Sequence, residues 1–414
     1  MTIETGMHYP LRLDALPSRW RVGYVGDFTK TIEPGFASGE HNAQGTGVPH
    51  LRPMNVNRDG KLDFDVVKYV AKEKDKRRLA FGDVLFNNTN SSELVGKTAV
   101  VNKAGDLAFS NHMTRITFGD DVLPQFGAMQ LHFLWMRGYF RYNCVKHVNQ
   151  ASVSSKTLAG AVPFVWAPLD EQERIVAEIE KQFSRLDKAI SNLKRVKANL
   201  RRYRTTVLEA AFDHEPNSRI GDLIESGPQN GLYLPKSSYG QGVSILRIDD
   251  YQTDWLRSPA DLRRVAASAD QIAMWALREG DLVINRVNSM THLGKCVSVP
   301  PSLAGCLFES NMMRLSLRRT VLPRYVELYL GSGVGKKRLT QSAKWAVNQA
   351  SINQQDVRAT PVYVPDMDDQ LSLVAEVDRR LSLVHEVEAE VDTNLKRGDR
   401  LRQSVLRREF KTKD

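Results

Sequence analysis

Two loops of this 414-residue chain are rich in side chains that hydrogen-bond to the edges of nucleic-acid bases. Asparagine pairs bidentately with adenine, arginine pairs in the same way with guanine, and serine donates or accepts. A solvated hairpin loop has a similar composition, so both interpretations stay open. The members of the two loops are Asn87, Asn88, Asn90 and Ser91, and Asn285, Arg286, Asn288 and Ser289.

Two further clusters combine amides with positive charge. Lysine positions a protein on phosphates, whereas amides can contact bases, and this mixture favours nucleic-acid binding over an ordinary loop. A cationic run nearby predicts contact with phosphates or, alternatively, a solvated helix face. The clusters are Lys146, Asn149, Gln150 and Ser152, and Lys344, Asn348, Gln349 and Ser351; the run is Lys336, Lys337 and Arg338.

Further candidates for nucleic-acid contact lie in the strand and turn motifs around these clusters. These candidates are Arg52, Lys97, His112, Arg247 and Lys295.

The six tryptophans are expected to fill hydrophobic cores, although Trp345, beside Lys344, can be exposed.

The sequence contains no recognisable catalytic or metal-binding motif. Gly96-Lys97-Thr98 resembles the end of a phosphate-binding loop, but Ser91 occupies the position of the required leading glycine. The chain lacks the Asn/Asp-Pro-Pro-aromatic motif of amino-methyltransferases and a clear nuclease motif. The three cysteines lack the paired spacing of a zinc site. We therefore expect a chain without catalytic residues or bound metal.

The candidate clusters occur twice because the chain is an internal repeat. Gly82-Asp83 matches Gly280-Asp281, and further matching pairs follow at nearly constant spacing. Between the matching motifs the two halves differ, for example in residues 56–76 and 251–270. Shared frames with different interiors predict two recognition units built on one scaffold.

Each repeat ends in a long segment with the seven-residue period of a coiled coil. Asp170, with Glu173 three residues later, predicts an N-cap. The two helices are expected to pair, and Gly398 would weaken the second helix or mark a bend. The main seam comprises Ile179, Leu186, Leu193, Leu200 and Val207, then Val377, Val384, Val391, Gly398 and Val405; the second seam comprises Phe183, Ile190, Val196, Tyr203 and Ala210.

Composition sets broader bounds on the protein. A hydrophobic content of 42% is typical of globular domains. The formal net charge of +10 favours a polyanionic partner. The sequence shows neither a signal-peptide pattern nor eighteen consecutive apolar residues, so we expect a cytoplasmic protein.

This layout resembles the specificity subunit of type I restriction-modification enzymes over nearly the whole chain. Residues 168–176 and 199–212 are similar to the family's motifs at the start and end of its long helix. Residues 82–87 and 94–97 are similar to its recognition-domain frame. The resemblance implies a mixed α/β fold with two tandem target-recognition domains, 1–168 and 214–366. Each domain would precede a long helix, 169–213 or 367–414, and the two helices would pair as an antiparallel coiled coil.

The resemblance also implies a non-catalytic subunit that recognises a bipartite, asymmetric target. The implied partners are double-stranded DNA, two methylation subunits that carry S-adenosylmethionine, and restriction subunits that use ATP and Mg²⁺. No cofactor or membrane would bind this chain directly. The alternatives are a coiled-coil scaffold that does not recognise DNA and a divergent DNA methyltransferase or nuclease. Partner docking is expected at basic helix residues, some of which are ordinary coiled-coil charges: Arg201, Arg202, Arg204, Arg400 and Arg402.

Paired helices of equal length predict a fixed gap between the two half-sites. Inserting seven residues at matching positions of both helices adds about 10 Å, which is close to three base-pair rises of about 3.4 Å. We expect the lengthened protein to select a wider spacer and unchanged half-sites from a spacer-randomised duplex pool. Lengthening one helix alone is the control, because seven residues then lack seam partners and binding should fall. Retained binding at the original spacer would mean that helix length does not set the gap.

Overall fold

The computed structural model describes residues 2–3, 11–12, 16–72, 75–103, 105–252, 255–346 and 349–410. The chain divides into two compact units. Unit 1 comprises residues 1–192 and 394–414, and unit 2 comprises residues 193–393. Across the described ranges, no helix is long and apolar enough to cross a membrane. The domain limits inferred from the sequence stay a prediction.

Unit 1 consists mainly of short strands, with helices α1 (Pro124–Met136), α2 (Tyr139–Tyr142) and α3 (Ser155–Ala161), and with the first part of α4 (Leu169–Phe212). Its strands are β1 (Thr2–Ile3), β2 (Leu11–Arg12), β3 (Arg21–Tyr24), β4 (Thr29–Pro34), β5 (Val48–Leu51), β6 (Lys68–Val70), β7 (Val84–Asn87), β8 (Thr89–Asn90), β9 (Thr98–Val100), β10 (Ala108–Phe109), β11 (Met113–Phe118), β12 (Val145–Lys146), β13 (Ala151–Ser152) and β14 (Pro163–Trp166).

Three sheets form the frame of unit 1. An antiparallel sheet has the strand order β4-β11-β7-β9, and every residue of the central strand β7 is buried. A continuous buried run of this kind indicates a strand covered on both faces. A second sheet, β10-β5-β6, contains a parallel β10–β5 pair, and a third sheet has the order β12-β13-β8. Helix α1 contributes Phe126, Leu131 and Phe133 to the core.

Unit 2 contains helices α5 (Ile220–Leu223), α6 (Ala269–Trp275), α7 (Pro323–Gly331), α8 (Gly333–Thr340) and α9 (Gln354–Ala359), and most of α10 (Met367–Glu409). Its strands are β15 (Ser218–Arg219), β16 (Ile224–Asn230), β17 (Tyr239–Leu246), β18 (Tyr251–Gln252), β19 (Trp255–Leu256), β20 (Arg263–Val265), β21 (Leu282–Asn285), β22 (Val287–Asn288), β23 (Cys296–Ser298), β24 (Leu307–Phe308), β25 (Met312–Leu317), β26 (Lys344–Ala346), β27 (Gln349–Ser351) and β28 (Pro361–Val362).

The sheets of unit 2 repeat those of unit 1 strand for strand. Their orders are β16-β25-β21-β23, β20-β17-β24 with a parallel β17–β24 pair, and β22-β27-β26. The central strand β21 is fully buried, as β7 is in unit 1. The internal repeat inferred from the sequence is therefore a duplicated fold.

Each unit buries parts of both long helices. In unit 1, Asp187 of α4 pairs with Arg402 of α10, and Arg174 lies 4.0 Å from Glu409. Positions therefore rise along α4 as they fall along α10, which makes the pair antiparallel, as predicted. In unit 2, Lys197 lies 2.5 Å from Asp392.

The helical seam differs from the prediction at several positions. The main seam is confirmed where Ile179, Val377 and Val384 are buried. In contrast, Val196 is 39% exposed and Tyr203 is 48% exposed, so their predicted place in a second seam is wrong. Two paired helices bury only one narrow stripe, and these residues lie beside it.

Helix α10 continues through Gly398, which is buried against α4 in unit 1. A Cβ atom at this position would lie 3.1 Å from Cδ1 of Ile190. The glycine thus permits a close approach between the helices.

A buried glutamine fixes the start of each long helix. The Oε1 atom of Gln172 accepts a hydrogen bond from the backbone of Leu123 (2.8 Å), and its Nε2 atom donates to the carbonyls of Asp121 and Ala167. Helix α4 begins at Leu169, so Asp170 lies within its first turn and is not the N-cap. Pro168 precedes this turn, and its carbonyl accepts from the backbone of Gln172.

The equivalent glutamine in unit 2 makes the same three kinds of bond. The Oε1 atom of Gln370 accepts from the backbone of Leu322 (2.9 Å), and its Nε2 atom donates to the carbonyls of Thr320 and Pro365. Here Asp366 caps the helix, because its carboxylate accepts from the backbone of Asp369. Both helix starts are therefore tied to the loop that precedes α1 in unit 1 or α7 in unit 2.

Replacing either glutamine with alanine should destabilise its own unit. Gln172→Ala and Gln370→Ala each remove a fully buried amide with its three hydrogen bonds, which costs about 1–3 kcal/mol. Urea unfolding followed by circular dichroism measures the loss. Gln182→Ala is the control, because Gln182 is only half-buried on α4 and its change should stay within about 0.5 kcal/mol. Equal midpoints for all three variants would contradict the assigned role.

Candidate nucleic-acid interface

The three-stranded sheet β12-β13-β8 places one predicted cluster at the surface of unit 1; we call it hairpin sheet 1. Ala151 pairs with both Lys146 and Asn90, and it is buried in the core. The turn between β12 and β13 closes where the backbone of His147 donates to the carbonyl of Gln150 (2.7 Å). Lys146, Asn149 and Gln150 are therefore exposed on an anchored hairpin.

A groove of ≈ 490 Å³ lies beside hairpin sheet 1. It brings together residues that the sequence places far apart, from the turn after β5, from β8 and the loop after it, from the turn before β11 and from the hairpin turn. Its wall combines amides, cations and an imidazole, a set that can hydrogen-bond to base edges and phosphates. The predicted residues that line it are Arg52, Asn90, Ser91, Lys97, His112, Asn149 and Gln150.

Two of the predicted asparagines lie inside unit 1. Asn87 has no exposed area, and its Nδ2 atom donates to the carbonyl of Leu94 (3.1 Å). Asn88 is 8% exposed, and its Nδ2 atom donates to Oγ1 of Thr114 (2.9 Å). These side chains hold the loop after β7 in shape and are not presented to solvent.

Lys97 and Lys295 occupy equivalent positions, and each donates hydrogen bonds to two backbone carbonyls of its own unit. The ammonium of Lys97 donates to the carbonyls of Pro53 (3.3 Å) and Val56. That of Lys295 donates to the carbonyls of Ile248 (3.4 Å) and Tyr251 (2.9 Å). Burial, with a smaller contribution from a neighbouring cation, lowers the pKa of both lysines. Each ammonium thus fastens a turn to the main sheet of its unit.

Several polar candidates of unit 2 are also engaged within that unit. The carbonyl oxygen of the buried Asn285 side chain accepts from the hydroxyl of Tyr251 (2.5 Å). Arg286 donates to the carbonyl of Ser310 (3.1 Å), and Arg247 donates to a carboxylate oxygen of Glu309 (3.0 Å). These contacts fix the loops that carry the remaining candidates.

Hairpin sheet 2, β22-β27-β26, is the counterpart in unit 2. Ser351 pairs with Lys344 and with Val287, in the same arrangement as Ser152 in unit 1. Lys344 and Gln349 are exposed, Ser289 is exposed, and Asn288 is half-buried. Asn348 lies outside the described residues.

The three cationic side chains of α8 have different surroundings. The ammonium of Lys336 donates to the carbonyl of Thr291 (2.6 Å), and burial lowers its pKa. Arg338 donates to the hydroxyl of Tyr329 (3.3 Å). Lys337 is exposed and is the member of the run most open to a phosphate.

The basic residues of the long helices fall into two groups. Arg201, Arg202 and Arg400 are exposed, and Arg204 is half-buried. Arg402 is only 4% exposed; besides its ion pair with Asp187, it lies 3.5 Å from Asp59 and over the ring of Phe183. This buried network, which the sequence pattern did not indicate, ties the loop before Lys61 to both helices.

Some exposed apolar side chains at the hairpin sheets and the groove were absent from the predicted set, among them Val145 on β12, which is 61% exposed. Val148 at the tip of hairpin sheet 1 is 99% exposed, and Met54 on the groove is 53% exposed. Trp345 on hairpin sheet 2 is 74% exposed, as the adjacent lysine suggested. Among the residues with assigned positions, no group of three or more His, Cys, Asp or Glu side chains is arranged to hold a metal ion.

The duplicated unit followed by a long helix defines a known class of fold. A solved chain of a type I R-M system matches it with a TM-score of 0.76 at 18% identity, over 96% of this chain and 99% of that chain. The mixed α/β fold with two repeats and paired helices is thereby confirmed. No protein-family model matches the chain.

Curated relatives show the same class. The EcoKI specificity subunit of Escherichia coli K12 is 22% identical over 390 residues, which cover 88% of this chain and 82% of that protein. The StySPI specificity subunit of Salmonella potsdam is 22% identical over 424 residues, covering 96% and 89%. The chain is thus similar to type I restriction enzyme specificity subunits over most of its length, and the resemblance seen in the sequence is confirmed.

The buried and exposed asparagines should respond differently to alanine. Asn87→Ala removes a buried hydrogen bond and should lower the free energy of unfolding by about 1–3 kcal/mol. Asn149→Ala, in the exposed turn, should change it by less than about 0.5 kcal/mol. Thermal and urea unfolding compare the two variants. If Asn149→Ala lowers the free energy of unfolding and Asn87→Ala leaves it unchanged, the assignment of Asn87 as structural and Asn149 as exposed is wrong.

Proposed function

We propose that this chain is the sequence-specific DNA-recognition subunit of a type I restriction-modification complex. The observation that carries the proposal is the pair of hairpin sheets, which share one backbone arrangement and present different side chains. Two different sets of contacts select two different half-sites, which yields a bipartite and asymmetric target. The similarity to specificity subunits supports the same conclusion.

In unit 1 we assign base contacts to the amides and the imidazole that line the groove. Asn90, Asn149 and Gln150 have the two-point hydrogen-bonding geometry that distinguishes adenine, and His112 lies in the same groove. Arg52 and Lys146 supply positive charge for phosphates. Hydrogen bonds to bases select sequence, whereas phosphate contacts set position and register.

In unit 2 the corresponding roles fall to exposed or half-buried residues of hairpin sheet 2 and its neighbouring loop. Asn288, Ser289 and Gln349 are assigned to bases. Lys344 and Lys337 are assigned to phosphates, since both are exposed.

We further propose that this chain performs no chemistry and binds no cofactor. Two methylation subunits would carry S-adenosylmethionine, and restriction subunits would use ATP and Mg²⁺ for cleavage. The relatives' designation as specificity subunits supports this division of labour. The complex would act in the cytoplasm, where DNA and these small molecules meet.

Exchange of one unit tests the proposed function. Replacing residues 1–160 with the matching segment of a relative should change one half of the target and leave the other half and the spacer intact. Targets selected from a random duplex pool, or modified bases mapped in a genome, give the result. The reciprocal exchange of residues 214–366 is the control and should change the other half. A wild-type complex that selects no target would favour a scaffold without DNA recognition.

Charge reversal on α4 tests partner docking. Changing Arg201, Arg202 and Arg204 together to glutamate should weaken assembly with the methylation subunit, because docking on this face would then meet repulsion. Gel filtration of the mixed subunits measures assembly, and thermal unfolding checks folding. The control reverses Arg263, Arg264 and Arg278, which are exposed and lie outside α4 and α10. Equal assembly by both triple variants would mean that these arginines of α4 are not part of the docking surface.

A further inference from the structure

Hairpin sheet 2 exposes a large aromatic ring on its edge strand. Trp345 on β26 is 74% exposed, although tryptophan side chains are usually largely buried. Its cross-strand neighbour Ala350 is 2% exposed and belongs to the core of unit 2. The strand is therefore anchored next to the core while the indole stays in water. An indole in this position is available to a binding partner.

The equivalent position in unit 1 carries a charge. Lys146 on β12 pairs with Ala151, as Trp345 on β26 pairs with Ala350, and both alanines are buried. The two backbones thus present the same position to their surroundings, one with an ammonium and the other with an indole. This is a difference in side-chain chemistry on a shared frame.

The residues around Trp345 have the chemistry of a nucleic-acid contact. Lys344 precedes it and Gln349 begins the next strand, and both are exposed. The ammonium of the preceding residue can contact phosphate, and the amide on the next strand can contact a base edge. An exposed aromatic ring on such a hairpin can stack on a base, whatever the base, because every base offers a π-face.

We propose that the indole of Trp345 inserts at one base-pair step of the half-site that unit 2 recognises; the inference rests on the proposed function. An apolar wedge partly unstacks the step and bends the duplex. Pyrimidine–purine steps deform most easily, so the half-site of unit 2 should contain one at the insertion point. Lys146 has no ring to insert, so we expect no wedge from the equivalent position of unit 1.

The experiment uses the full chain assembled with its methylation subunit and a duplex selected from a random pool. 2-Aminopurine, whose fluorescence rises when it is unstacked, replaces each adenine in turn. The methylation subunit extrudes the base that it modifies and raises the fluorescence there. Apart from that signal, we expect a rise at one step, in one half-site only. Trp345→Lys, which installs the residue type of unit 1, should abolish the rise and weaken binding roughly 5- to 150-fold, the range expected for loss of one stacked base. Trp345→Phe should keep most of both signals.

Tyr233→Ser is the matched control, because Tyr233 is a 79% exposed ring of the same unit outside hairpin sheet 2. It should leave the fluorescence rise and the Kd unchanged. Binding by Trp345→Lys within twofold of wild type, or an unchanged fluorescence rise, overturns the inference. If Trp345→Lys fails to assemble with the methylation subunit and the wild type shows no fluorescence rise, the ring belongs to a protein interface. That result also overturns the inference. A wild-type complex that selects no duplex defeats the proposed function itself, and the inference fails with it.

Discussion

The mutual burial of α4 and α10 is the constraint on which the rest of the structure depends. Each helix carries one narrow apolar stripe, and a helix of this length with such a stripe needs a partner to cover it. Each unit provides further cover from its own core: Ile175 and Leu406 join the core of unit 1, and Val207 and Val377 join that of unit 2. The helices are thus structural parts of both recognition units.

A charge network around the buried Arg402 reinforces this arrangement in unit 1. Arg402 would be costly to bury alone, but the carboxylates of Asp187 and Asp59 neutralise it. Burial tends to raise the pKa of Asp187, but hydrogen bonds from Lys61 and Arg402 and the positive charges of both outweigh that effect, so the net pKa is lowered. The loop that contains Asp59 is thereby held against both helices. A polar network of this kind fixes one geometry, because a shifted loop leaves a buried charge without its partner.

Much of the fold follows from patterns that are local in the sequence. The seven-residue period locates both long helices, and the repeat of Gly82-Asp83 as Gly280-Asp281 indicates two similar frames. Side-chain direction does not follow from such patterns. Residue type alone marks Asn87 and Lys97 as candidates for nucleic-acid contact, yet the structure places both inside unit 1. Val196 and Tyr203 fit a heptad but lie beside the seam, since register along a helix depends on its partner. The groove beside hairpin sheet 1 depends on four separate segments and therefore has no local signal.

The order of synthesis gives the position of Phe410 a further consequence. Its ring packs against Phe126 (5.5 Å between centroids) and Phe133 (6.0 Å) in the core of unit 1. A ribosome produces these two rings long before it reaches Phe410, since all of unit 2 is translated in between. Unit 1 therefore leaves the ribosome with an unfilled aromatic site, which is a surface for chaperones and for aggregation. In a chain that ends early in unit 2, the site for Phe410 stays empty. The core of unit 1 is therefore complete only in chains whose unit 2 has been translated.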